Sequence, residues 1–115
     1  MDFKLSTEQE MTRALCRNFA KNEIIPIAEE MDATGQFPYD LWKKMGGLGI
    51  CGIPFPEECG GGGLDWLSMI IAIEEISRGD VSLGNSLLDS VTLPMNLLCT
   101  LGTEEQKKKW LMPLA

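Results

Sequence analysis

Histidine is absent from this 115-residue chain, and with it go imidazole-bound zinc and any Cys–His or Ser–His catalytic pair. The four cysteines, Cys16, Cys51, Cys59 and Cys99, are scattered and form no C-x-x-C pair. Unpaired thiols of this kind suit a reducing compartment. Positive charge is also scarce: 10 Lys and Arg stand against 17 Asp and Glu, for a net charge of −7. That balance argues against nucleic acid or an anionic membrane as a partner. No apolar run approaches the length of a membrane span, and the opening MDFKLSTEQE does not read as a signal peptide, so the expected compartment is the cytoplasm. Strand patterning, internal repeats and low-complexity tracts are lacking as well.

What remains is helical punctuation. Ser6 and Gln9 have capping-box spacing and open a helix in which Met11, Ala14, Leu15, Phe19 and Ile25 share one face. Pro26 breaks that pattern and predicts a kink or a second short helix to about Met31, which Gly35 ends. Pro38 suits the first turn of the next helix, with Leu41, Trp42, Met45 and Leu48 on its apolar face. Gly46, Gly47 and Gly49 weaken that helix toward its end. Two prolines make residues 51 to 56 a connector, with Ile53 and Phe55 turned inward.

The four glycines Gly60 to Gly63 precede a helix beginning at Asp65. A glycine loop feeding a helix can bind phosphate, but no Gly-Lys-Ser/Thr ending follows and Asp65 would take the anion's place. A plain flexible loop is therefore expected. The run Trp66 to Ile76 is apolar nearly all round, which predicts a helix in the middle of a bundle. Glu74, Glu75 and Arg78 mark its wetter end, with Arg78 reaching one of the two glutamates. Asp80 then caps the following helix.

In that helix Leu83, Leu87, Val91, Met95 and Leu98 recur at steps of four, four, four and three, the spacing of one apolar face. Ser82, Ser86 and Ser90 form a stripe beside it. Small residues in register leave a shallow furrow, which by spacing alone reads as a helix-packing surface. Pro94 interrupts the bonding near Ser90. Gly102 stops the helix, Thr103 and Gln106 repeat the capping-box spacing, and Glu104–Lys108 and Glu105–Lys109 are set for i,i+4 pairing. Helix electrostatics thus accounts for the lysine run. The expected fold is all-α: a single domain over residues 1–115, an up-and-down style bundle of about five to six helices. At this length the chain can bury its own core but is small for a cofactor-dependent enzyme.

The succession LSTEQE, FPYDLWKKMGGLGICGIPFPEECGGGGLDW, AIEEISRGDVSLG and LGTEEQKKKWLMPLA resembles the N-terminal helical domain of the acyl-CoA dehydrogenase family, in order and over almost the whole chain. The resemblance implies the first part of a longer three-domain flavoenzyme, with a β-domain and a C-terminal helical domain absent. It implies FAD, an acyl-CoA substrate, α,β-dehydrogenation and an electron-transfer flavoprotein as acceptor, in a homo-oligomer. The base, a glutamate, and most flavin contacts would lie outside these residues, so no catalytic, flavin-binding or metal residue is assigned, and the 115 residues alone are expected to be inactive and flavin-free. What carries over is a wall of the acyl pocket: Ser82, Leu83, Ser86, Leu87 and Ser90. Asp89 to Thr92 departs from the Asn-Ser-Leu common in the family. Two other readings stay open: a flavin oxidase or monooxygenase on the same scaffold, and a helical interaction module with no enzymatic role.

Overall fold

The computed structural model describes residues 2–115. Its helices are α1 (Thr7–Phe19), α2 (Ile25–Thr34), α3 (Tyr39–Gly47), α4 (Trp66–Gly79), α5 (Val81–Ser90), α6 (Asn96–Leu101) and the single turn α7 (Glu104–Gln106). Three π turns, Ala20–Ile24, Val91–Met95 and Lys107–Leu111, join α1 to α2, join α5 to α6 and extend α7. Five continuous rods result, and no strand occurs among the described residues. None of these helices is long and apolar enough to cross a membrane.

The rods start and stop where local chemistry requires. Ser6 Oγ accepts from the Gln9 backbone N–H at 3.2 Å while the Gln9 side-chain Oε1 accepts from the Ser6 N–H at 2.9 Å, and Thr103 and Gln106 repeat the exchange. Gly35 closes α2 in the left-handed conformation at φ 64°. Asp80 ends α4 and caps α5, accepting from the Leu83 N–H at 2.8 Å.

Neither internal proline ends its rod. Pro26 falls directly after the first π turn, where the Ile25 N–H reaches back five residues to the Ala20 carbonyl. Pro94 lies inside the second, where the Asn96 N–H reaches the Val91 carbonyl. A widened turn tolerates a missing donor and a bulky ring that a regular α turn would expel. In the third, the wider turn moves the lysines off the expected register. Lys107 meets Glu104 at 3.2 Å, and the Glu104–Lys108 and Glu105–Lys109 pairs are not formed.

The core holds Cys16, Phe19, Ile24, Met45, Ile50, Phe55, Met69, Ile76, Leu83, Leu87, Val91, Met95 and Leu111. Ile53 and Phe55 of the connector turn inward as expected. The α1 face follows expectation only at Phe19, which is buried; Met11, Ala14, Leu15 and Ile25 are exposed, and Gln9, Thr12 and Cys16 are buried instead. Burial of those polar groups is offset by partners. Thr12 Oγ1 donates to the Glu8 carbonyl at 2.9 Å and Gln9 Nε2 to the Asp65 carboxylate at 2.7 Å.

α4 packs between α1 and α5. Its outer side remains open, with Trp66, Leu67 and Ile70 exposed. Contacts from Gln9 to Asp65 and from Arg17 to Glu75 show that α1 and α4 run parallel. Glu75 is not at a wet end: it is 2% exposed, and Arg17 grips both its oxygens, Nε to Oε2 at 3.0 Å and Nη2 to Oε1 at 2.6 Å. Arg78 stands only at the margin, 3.9 Å away. Where α4 meets α5, Gly84 lies against Ser77 so closely that an added Cβ would fall 3.0 Å from the Ser77 Cα.

The hydrogen bonds from Arg17 hold the Glu75 carboxyl below its ordinary value, against the opposing effect of burial. A depressed folded-state pKa adds stability that is complete above the unfolded value of about 4.3 and is lost as pH falls through the folded value. Arg17→Met should therefore lower the urea midpoint at neutral pH, and its deficit against the parent chain should shrink below about pH 4. A deficit that stays constant across that range rules out the ion pair as its source.

Candidate functional site

Asp80 sets the geometry of the α5 face. Its Oδ1 accepts from the Leu83 N–H and also from the Ser82 hydroxyl, fixing the first turn. One turn on, Ser86 Oγ donates to the Ser82 carbonyl at 2.9 Å. Both hydroxyl protons are thereby spent, so the outward lone pairs of Ser82 and Ser86 are left to act as acceptors. Asn85 on the same outer side donates to Asp89 at 3.0 Å.

A cleft of about 690 Å³ opens between this face and the end of α2 with the link Gly35–Pro38. Met31, Phe37, Pro38, Val81 and Leu83 give it apolar walls, and Asp32, Gln36, Asp80, Asn85 and the two serines supply polar edges. Of the five residues singled out from sequence, Ser82, Leu83 and Ser86 line the cleft. Leu87 is 0% exposed in the core, and Ser90 is half-buried outside the lining. Phe37, Asp32 and Asn85 were not singled out. Asn85 could have been, because it falls three residues after Ser82 on the helix surface; Asp32 arrives from α2 and Phe37 from the link after it, which no local pattern announces.

The glycine loop is not a flexible tether. N–H groups of Gly60, Gly61, Gly62, Gly63 and Leu64 donate to carbonyls of Glu57, Pro56, Gly52, Phe55 and Ile53 at 2.8–3.1 Å. Gly61 is also pressed against the connector, where an added Cβ would overlap the Phe55 carbonyl. With those donors spent and Asp65 accepting the Ser68 N–H at 2.7 Å, the start of α4 has no cradle for a phosphate.

Nucleophile chemistry is also lacking in the buried thiols. Burial first, then the nearby Glu75, pushes Cys16 up to about 12, and burial pushes Cys51 up to about 11, so neither forms a thiolate near neutral pH. All four cysteines are unpaired. No group of three or more Cys, Asp or Glu side chains among the described residues could hold a metal ion.

Comparison with known proteins bears directly on this arrangement. The model of the acyl-CoA dehydrogenase N-terminal domain matches residues 6–115. A short-chain specific acyl-CoA dehydrogenase of Clostridium acetobutylicum is 50% identical over 115 residues, which is 100% of this chain and 30% of that protein. Butyryl-CoA dehydrogenase of Megasphaera elsdenii superposes with a TM-score of 0.91 at 36% identity, over 99% of this chain and 30% of the other. A chain solved in work on the electron transferring flavoprotein of Acidaminococcus fermentans gives a TM-score of 0.97 at 44% identity, over 100% of this chain and 30% of that one. The chain thus spans 30% of the length of the first curated relatives it matches.

Leu87 and Ser86 are adjacent in sequence but differ in surroundings. Leu87→Ala should cost about 2–5 kcal/mol in urea unfolding, and Ser86→Ala less than about 1 kcal/mol. Equal losses would place Ser86 in the core and remove it from the cleft wall.

Proposed function

Because the chain belongs to the acyl-CoA dehydrogenase family, as its N-terminal domain, we propose that it forms one wall of the acyl pocket in a longer enzyme. That enzyme is a three-domain, FAD-dependent oxidoreductase, continued by a β-domain and a second helical domain. It oxidises the Cα–Cβ bond of short-chain acyl-CoA thioesters and passes the electrons to an electron-transfer flavoprotein. The short-chain assignment is supported by the short-chain specific relative of Clostridium acetobutylicum and the butyryl-CoA enzyme of the same fold. The acceptor is supported by the likeness to the chain from the flavoprotein work. The same reading takes the whole protein to be a cytoplasmic homo-oligomer, in keeping with four cysteines that remain free.

The observation that carries the wall is the α5 face itself. Leu83 and Leu87 seal its inner side, and Ser82 and Ser86 present small, proton-spent hydroxyls to the cleft. Leu83 also touches the cleft, so an acyl chain there would meet a rigid apolar floor. The serines leave room above it without offering a donor that would have to be stripped of water. Side-chain bulk then sets the chain length admitted, at about 0.8 kcal/mol for each methylene that fits and a clash for one that does not. Leu87 and Ser90 belong to the proposed wall only through the α5 framework, as supports of the face.

The reading assigns FAD to the other two domains, because the glycine loop of this chain offers the cofactor's phosphates no cradle. The glycine-loop donors are spent, the start of α4 is capped by a carboxylate, and these residues supply no step at the flavin.

In the full-length enzyme, Ser86→Phe should lower kcat/KM for the longest accepted acyl-CoA about tenfold relative to the shortest, with the flavin spectrum unchanged. The isolated 115 residues should be colourless and reduce no dye with any acyl-CoA. A chain-length profile indifferent to Ser86→Phe sinks the wall; a yellow fragment sinks the assignment of the flavin to the other domains.

A further inference from the structure

A second groove, of about 390 Å³, lies between α2 and the start of α3. Phe37 and Pro38 line both this groove and the α5 cleft, so the link forms a ridge between them. Ile27 and Met31 give the groove an apolar floor, while Phe37 and Tyr39 stand at its side with ring centroids 5.0 Å apart, edge to face. Tyr39 is 70% exposed, a large aromatic surface left to water. Its carboxylates are Glu30 and Asp40. Neither is within ion-pair distance of a cation among the described residues, and Lys44 of the same α3 is drawn to Glu23 instead, at 2.7 Å. The lining contains no lysine or arginine.

An apolar floor, an open aromatic wall and two carboxylates without counter-charges describe the complement of one side chain. Arginine has an aliphatic stem for the floor, a flat guanidinium that stacks on an aromatic face, and five donors for paired carboxylates. We propose that the α2–α3 groove is a docking surface for an arginine-bearing segment of a partner protein. This goes beyond the dehydrogenase reading and does not depend on it.

The probe is a fluorescein-labelled tetra-arginine peptide, titrated with the full-length protein at low salt and followed by anisotropy. Its counterpart is the tetra-citrulline peptide, of the same shape without the charge. Glu30→Gln with Asp40→Asn should weaken arginine-peptide binding about tenfold, and Tyr39→Ala about threefold. The control pair Glu8→Gln with Glu105→Gln removes the same charge from elsewhere and should change binding less than about twofold. Circular dichroism establishes that each variant is folded. Equal weakening by the control pair overturns the proposal in favour of bulk charge, and equal binding of the citrulline peptide overturns the role of the carboxylates. Absence of binding by the parent chain overturns it outright. Sedimentation showing a dimer that Tyr39→Ala dissolves overturns it in favour of self-association.

Discussion

Glu75 lies in the C-terminal third of α4, almost wholly out of water, and both its oxygens are taken by Arg17 of α1. A carboxylate so placed tolerates burial only while its counter-charge is held there. The orientation of α1 follows from this: it must run parallel to α4, with Gln9 reaching Asp65 at one end and Arg17 reaching Glu75 near the other. With α1 fixed along one side of α4, α5 turns back along another, and Leu83, Leu87 and Val91 complete the core. The cleft beside α5 exists because the α2 end of the first rod is delivered there by the same constraint.

The sequence disclosed the joints of this structure well. Ser6, Gly35, Asp65, Asp80 and Thr103 act on neighbours within four residues, so their chemistry can be read locally. The α5 stripe was more legible, since Leu83, Leu87, Val91 and Met95 are all buried and Leu98 is half-buried against them. The α1 face was not. Periodicity located the stripe of Met11, Ala14, Leu15, Phe19 and Ile25, but of these only Phe19 is buried, and the other buried positions of α1 are Gln9, Thr12 and Cys16. The partner that satisfies Gln9 lies 56 residues away and the partner of Arg17 lies 58 away, and no window along the chain contains both members.

The π turns were hidden for a different reason. Pro26 and Pro94 signal broken backbone bonding, but sequence does not say whether the chain will stop or bulge. Here it bulges, and buried residues adjoin both bulges: Ile24 before Pro26, and Val91 and Met95 around Pro94. The candidate site was half legible. Ser82, Leu83 and Ser86 reach the cleft together because they share a helix, whereas Asp32 of α2 and Phe37 of the link after it join them only through tertiary packing.

Asp80 ends one helix and begins the next with no residue between them. Contacts across such a corner require closing only a short loop, whereas the Arg17–Glu75 contact must bring together groups separated by nearly sixty residues. Local closures are kinetically favoured. The α4–α5 corner is thus the part of the fold that can assemble first as the chain collapses. α1 then docks onto a surface already formed, and the buried charge is stranded only until its partner arrives.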